Sequence, residues 1–324
     1  MAASRGWRQG PRAEGPFAVQ RDDIAALNEV FSDAFTERYR RDGMVGVRVP
    51  YLNPAVWRYA IEDADGGAMI WRGAGGDIVA FNIAHQSGAE GWMGPLAVRP
   101  DAQSQGLGKA VVRAGVEWLR SRGARVIGLE TMPRTMDNIG FYSALGFNPG
   151  RLTITVTIDA APAPEAPVLV GRLTSHERAA AVAACRDLAG AQIAGYDFTR
   201  EIEITDDLSL GDTVLLRERG EVAAFALCHT VPLVEGRTRD ELRVLKMVLS
   251  RDDQLGPMAA ALADYARRSG SRRVAFRVQG EYGGVYRRLI AMGGRVRWTD
   301  LRMIVEGTEE PRARTGVVLS NWEI

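Results

Sequence analysis

Apolar and polar positions along this chain follow two rhythms, and the order of those rhythms repeats. Ile24, Leu27 and Phe31 share one stripe of a helical pattern from about Asp22 to Tyr39, with Arg21-Asp22-Asp23 at its start. A short strand at Phe17–Gln20 precedes it, and runs at Ala68–Arg72, Ile78–His85 and Trp92–Val98 predict consecutive strands. Leu107, Val111, Ala114 and Trp118 form a second helical stripe, with Lys109, Arg113, Glu117 and Arg120 opposite and Gly123 as a stop. A strand at Val126–Glu130, a helix around Asp137–Leu145 and the alternating run RLTITVTI follow. This order predicts an α/β layer around one mixed sheet.

The stretch DAAPAPEAPV breaks the periodicity near mid-chain, and the same order then returns. Strands are predicted at Val168–Val170, Thr213–Leu216, Val222–Cys228, Leu242–Leu249, Val274–Val278 and Val296–Val305. Helices are predicted over His176–Leu188, Leu255–Arg268 and Tyr282–Met292. WLRSRGARVIGLE and YARRSGSRRVAFRV occupy corresponding places, as an internal duplication requires. The expected organisation is a tail over 1–15, a first domain over 16–159, a linker over 160–167, a second domain over 168–306 and a tail over 307–324. That last segment includes the strand-like GVVLSNWEI.

Composition narrows the function classes. The chain has 324 residues, 46% hydrophobic and 25% charged, with a formal net charge of +1, so no basic excess points to nucleic acid. Cys185 and Cys228 sit in apolar contexts, and His85, His176 and His229 lack metal-ligand spacing, so neither a disulfide nor a metal is expected. No apolar stretch has the length of a signal peptide or a membrane span, and the expected compartment is cytoplasmic.

The chemistry concentrates between LAVRP and the second helical stripe. Here Gln103-Ser104-Gln105-Gly106-Leu107-Gly108-Lys109 is either a phosphate cradle or a turn whose glycines relieve strain. A P-loop needs glycine where Gln103 stands and Ser or Thr where Ala110 stands, and a dinucleotide fingerprint needs glycine at Val111. What fits is Gln/Arg-x-x-Gly-x-Gly/Ala, which resembles motif A of the GNAT N-acetyltransferase superfamily. DNIGFYSALGF resembles that family's motif B, with Tyr142 four residues before Gly146-Phe147. The two motifs together, in this element order, favour the cradle. Amides from Ser104 to Lys109 can converge on one concavity, and Gly106 and Gly108 carry no Cβ to hold a diphosphate off.

The resemblance implies two tandem GNAT-like domains, each a mixed, mostly antiparallel sheet flanked by helices. It implies acetyl-coenzyme A as co-substrate, no metal, and direct transfer to a primary amine of a small molecule or peptide. The loop 103–109 would hold the pyrophosphate, and the backbone of Leu96, Ala97 and Val98 the pantetheine arm. Tyr142 would be the general acid. Relatives often have asparagine seven positions before that tyrosine; this chain has Thr135 there and Asn138 four positions before, the nearest candidate for the arm. Glu130 is a candidate base or a solvated strand-end carboxylate. Asp33 and Glu37 are candidates for the acceptor side or plain surface, and Trp71, Trp92 and Met93 for pocket lining or core.

The second series departs from both motifs. Asp252 and Asp253 stand where a diphosphate would lie, and Leu289 replaces the tyrosine, with Tyr286 one turn too early. A degenerate second copy is expected, buttressing the first or completing its acceptor site. The competing reading is a non-catalytic acyl-coenzyme A sensor, and the chain is expected as a monomer or homodimer.

Overall fold

A computed structural model describes residues 13–324, so residues 1–12 of the expected N-terminal tail lie outside it. The first series runs β1 (Glu14–Ala18), α1 (Ile24–Arg41), α2 (Pro54–Ala64), β2 (Ala68–Arg72), β3 (Ile78–Ser87), β4 (Glu90–Val98), α3 (Leu107–Ser121), β5 (Val126–Thr131), α4 (Met136–Ser143) and β6 (Phe147–Asp159). The second runs β7 (Val168–Leu169), α5 (Ser175–Gln192), α6 (Thr199–Asp207), β8 (Gly211–Glu218), β9 (Glu221–His229), β10 (Glu241–Leu249), α7 (Leu255–Arg268), β11 (Arg273–Gln279), α8 (Gly283–Ala291) and β12 (Arg295–Val305). The tail adds β13 (Val317–Ser320).

The first strand lies earlier than its pattern suggests, because Glu14 pairs with Arg72 and Phe17 with Ile70. Two helices were not anticipated. In α2, the Asn53 side chain accepts from the Ala55 amide and Pro54 opens the first turn, while Val56, Trp57, Ala60 and Ala64 are buried. In α6, Ile202 and Thr205 are buried among charged neighbours.

The two series are not side by side but interleaved. Strand order is β1-β2-β3-β4-β5-β12-β6-β11-β10-β9-β8-β7, parallel only at β4–β5 and β10–β11. The last strand of each series therefore sits in the other series. Strand β12 pairs with β5, placing Leu301 opposite Thr131 and Ile304 opposite Gly128. Strand β6 pairs with β11 from Asp159–Arg273 to Thr153–Gln279.

The cores follow the exchange. Met303 and Val305 of β12 are buried with Leu129, Tyr142 and Phe147 under α3 and α4, while Val156 and Ile158 of β6 join Phe276, Met247 and Leu262 of the second series. Burying each such side chain stabilises by about 1.5–3 kcal/mol, so each core depends on a strand lent by the other. On the opposite face of the first series, α1 and α2 pack Leu27, Phe31 and Trp57 over Ile70 and Phe81, joined by Trp322 from the tail.

Candidate active site

Strands β4 and β5 run parallel from Glu90–Val126 to Met93–Leu129, and there the pairing stops. Opposite, β3 keeps pairing with β4, but Gly94 and Pro95 stand against the single Ile83, a bulge at the point where β4 leaves β5. Beyond it the Arg99 amide donates to the Val79 carbonyl at 2.8 Å, so Ala97 and Arg99 face β3. By the alternation of a strand, Leu96 and Val98 turn their N–H and C=O groups into the gap left by β5. The Gln103 side-chain amide donates to the Val98 carbonyl at 2.9 Å, covering one of those groups.

The gap opens into a cleft of about 570 Å³. Leu96, Ala97 and Val98 form one wall, Gln103, Ser104, Gly106, Gly108 and Lys109 the end, and Asn138 and Tyr142 the far side. Ser104 and Gly106 both have left-handed backbone (φ 63° and 83°), which curls the loop, and α3 starts at Leu107 with the Leu107 and Gly108 amides unpartnered inside the helix, while the Lys109 amide donates to the Gly106 carbonyl at 3.1 Å. At Gly108 a Cβ would lie 3.3 Å from the Phe141 ring, so glycine lets the loop approach α4. Gln105 and Leu107 face the other way, into a depression beside Gly73 and Arg99.

Tyr142 is buried at 7% exposure and packs edge-on against Phe141, with ring centroids 5.3 Å apart. Burial alone pushes its phenol well above the ordinary value, so the group stays protonated at neutral pH. Asn138 lines the same wall and donates to the Thr131 hydroxyl at 3.4 Å. Thr135 is fully buried, and its hydroxyl donates to Asp42 at 2.8 Å, fastening the β5–α4 loop to the end of α1.

Glu37, named from sequence for the acceptor side, lies in the α1 wall of the cleft, but the rest of that wall was missed from sequence. Phe35, Arg38 and Arg41 line it, with Arg38 paired to Asp42 (2.6 Å) and Asp137 (3.1 Å). The signal was present as basic residues three and four positions apart at the helix end, on the face that carries Phe35.

Glu130 requires a correction. Both carboxylate oxygens are occupied: one accepts from Thr153 (2.5 Å) and the Arg302 Nε (3.0 Å), the other from Arg277. Burial would raise this acid, but the Arg277 and Arg302 guanidiniums outweigh it and hold the carboxyl below its ordinary value. A carboxylate so committed is a poor proton acceptor, and the sequence could not show it because both arginines come from the second series. Of the other candidates, Asp33 pairs with Arg48 at the surface. Hydrogen bonds from Arg40 and Arg41 bring Glu37 down to about 2. Trp71, Trp92 and Met93 are core.

In the second series the equivalent gap is filled by the chain itself. Strands β10 and β11 pair only from Glu241–Arg273 to Arg243–Ala275, and β13 then lies antiparallel on β10, Lys246–Ser320 to Leu249–Val317. The Val318 amide donates to the Tyr282 hydroxyl at 3.2 Å, and Gln279 donates to the Ser320 carbonyl at 3.2 Å, closing the far side. Leu289 is fully buried, and Asp252 and Asp253 stand at the turn before α7.

Residues 25–147 match the Acetyltransferase (GNAT) family. Over 138 residues the chain is 34% identical to serotonin N-acetyltransferase 2, chloroplastic, of Oryza sativa subsp. japonica, covering 40% of this chain and 61% of the relative. Over 73 residues it is 36% identical to the [ribosomal protein bS18]-alanine N-acetyltransferase of Escherichia coli K12, covering 22% and 49%. The matches thus span about half to three-fifths of these relatives.

Among solved structures, a putative acetyltransferase from Pyrococcus horikoshii superposes with TM-score 0.67 at 16% identity, over 99% of this chain and 98% of that one. A tandem GNAT protein from the clavulanic acid biosynthesis pathway superposes at 0.59 and 13% identity, over 93% and 100%. These two show the fold. Residues 25–147 thus carry the match to the GNAT acetyltransferase family, and the described residues share the fold of the tandem GNAT protein.

Proposed function

We propose that the protein is an acetyl-coenzyme A-dependent N-acetyltransferase acting on a primary amine of a small molecule or peptide. The observation that carries this reading is the open gap beside β4, which joins a curled amide loop at one end to Tyr142 at the other. The residues suit an extended acyl thioester: amides at 104–109 for its diphosphate, Lys109 for added charge, and the free edge of Leu96 and Val98 for its arm. Acetyl-coenzyme A would supply the activated acyl carbon.

The amine nitrogen bonds to that carbon, and an N–H from the β4 edge stabilises the charge on the carbonyl oxygen. The C–S bond then breaks, and the Tyr142 phenol gives its proton to the departing thiolate. The proton shed by the nitrogen passes to solvent and restores the phenol. The first series carries out this chemistry. The second serves as a scaffold, because β13 occupies the place where a second thioester arm would lie.

Among the described residues no cluster has the makings of a metal site, and no helix is long and apolar enough to cross a membrane. Cys185 and Cys228 are free and buried, which suits the reducing cytoplasm. We expect a monomer or homodimer that binds no nucleic acid.

The experiment is to mix the protein, acetyl-coenzyme A and a panel of primary amines, and to follow free thiol. Amine-dependent release that disappears in Tyr142→Phe supports the transferase. Binding without release under every amine leaves a sensor instead.

A further inference from the structure

A buried pair lies directly beneath the bulge that opens the cofactor gap. His85 on β3 is fully buried; its Nδ1 lies 2.6 Å from an Asp63 carboxylate oxygen on α2, and its Nε2 lies 3.1 Å from the Gly94 carbonyl. Both ring nitrogens lie within hydrogen-bond distance of an oxygen. The ring also stacks on Trp92, centroids 3.9 Å apart and planes 12° from parallel, which fixes its orientation. The second Asp63 oxygen is buried without a partner, so the carboxylate is committed to the imidazole.

We propose that Asp63 and His85 are positioning residues for the acyl donor: they pin the Gly94 carbonyl at the β4 bulge and thereby fix the Leu96 amide that faces the gap. This rests on the reading of the first series as an acetyl-coenzyme A-dependent transferase. The physical reason is that a bulge leaves backbone groups unpaired and free to re-aim. A side chain that captures one such carbonyl sets the direction of the next peptide, and an amide meant to polarise a carbonyl acts only if it is held in place beforehand.

The duplication supplies an internal control. His229 ends β9 as His85 lies near the end of β3, and β10 also bulges, between Val244 and Lys246. There, however, His229 faces the Thr205 hydroxyl at 3.0 Å, and its other nitrogen is buried without a partner. The bulge carbonyl of Leu245 accepts instead from the Asn321 amide of the tail, at 2.8 Å. The carboxylate-anchored histidine is thus present where the gap is open and missing where the tail fills it.

The test compares wild type with His85→Phe, which keeps the stack on Trp92, and with His85→Gln, whose amide can still donate to Gly94. Affinities for acetyl-coenzyme A and for free coenzyme A are measured by calorimetry. The infrared band of the bound acetyl carbonyl is read by isotope editing. In His85→Phe, acetyl-coenzyme A should weaken by about fivefold, the weight of one hydrogen bond, while free coenzyme A stays within about twofold because its diphosphate contacts lie elsewhere. The carbonyl band should lose its downward shift in His85→Phe and recover it in His85→Gln.

If His85→Phe does not fold, Asp63→Asn carries the same comparison, since it removes the charge that anchors the ring. Unchanged affinities and an unchanged band in the variants overturn the positioning role alone. A wild-type chain that binds neither ligand overturns the functional reading and this inference with it.

Discussion

Glu130 of β5 and Arg277 of β11 form an ion pair although 147 positions separate them in sequence and two other strands lie between their own. Arg302 of β12 grips the same carboxylate, so one acid from the first series holds two bases from the second. Removing it costs each guanidinium a charged hydrogen bond, although Arg277 keeps Asp300 and Glu323 and Arg302 keeps Glu310. Glu130→Gln should therefore cost on the order of 1.5–3 kcal/mol, read as a fall in the denaturation midpoint. The linkage has a definite sign. A carboxyl held below its ordinary value stabilises above the unfolded pKa, and that stability is lost as pH falls through the folded value. Wild type should lose stability on the acid side of the ordinary carboxylate range, and Glu130→Gln should lack that dependence.

Glu201 runs the other way. Burial, with the nearby Asp63 adding to it, raises its carboxyl to about 8, and one of its oxygens is buried without a partner. A raised acid favours folding while protonated in the native state, and this contribution is lost between the ordinary carboxylate value and about pH 8. Glu201→Gln, a neutral isostere, should be relatively more stable than wild type at pH 9 and should flatten that slope. A parallel pair of melting curves from pH 5 to 9 is the measurement.

Tyr142→Phe removes a hydroxyl but no packing, so its melting temperature should stay within a few degrees of wild type. Turnover should drop by roughly 10²–10⁴, the usual contribution of a placed acid, with acetyl-coenzyme A affinity unchanged. Because burial pushes the phenol up, the wild-type rate should show no alkaline loss attributable to Tyr142 up to pH 10. An alkaline limb near neutrality that vanishes in Tyr142→Phe would contradict this assignment.

Gly106 has φ 83°, a conformation that valine adopts only under strain, while a Cβ at Gly108 would press on Phe141. Gly106→Val should weaken acetyl-coenzyme A binding at least about tenfold by moving the loop amides, with little change in the melting temperature because the loop is exposed. Calorimetry on the intact chain should also give a single bound molecule, since β13 fills the second gap.

Much of this was legible in sequence because it is local. The helical stripe of α3, the glycines that curl its approach, and Tyr142 four residues before Gly146 follow from spacing within a few turns of chain. Helix α2 announces itself through Asn53-Pro54, but its PAVWRYAIEDA interior mixes buried aromatics with charges and blurs the period. What could not be read was pairing. Strands β6 and β12 have the same alternation, and nothing within either says which series it will close. The fate of Glu130 followed from that exchange, as did the filling of the second gap by a tail strand whose existence, but not whose seat, was visible.

The exchange of β6 and β12 has a consequence for how the chain is made. As the ribosome releases the polypeptide from its N-terminus, β5 emerges with an unsatisfied edge that only residues near position 300 can cover. The first series must wait, its β5 edge exposed, until residues beyond 300 have been made. Cutting at the proline-rich connection would therefore not yield two working pieces: each fragment would keep the strand its neighbour requires. Such a molecule lives or dies as a whole.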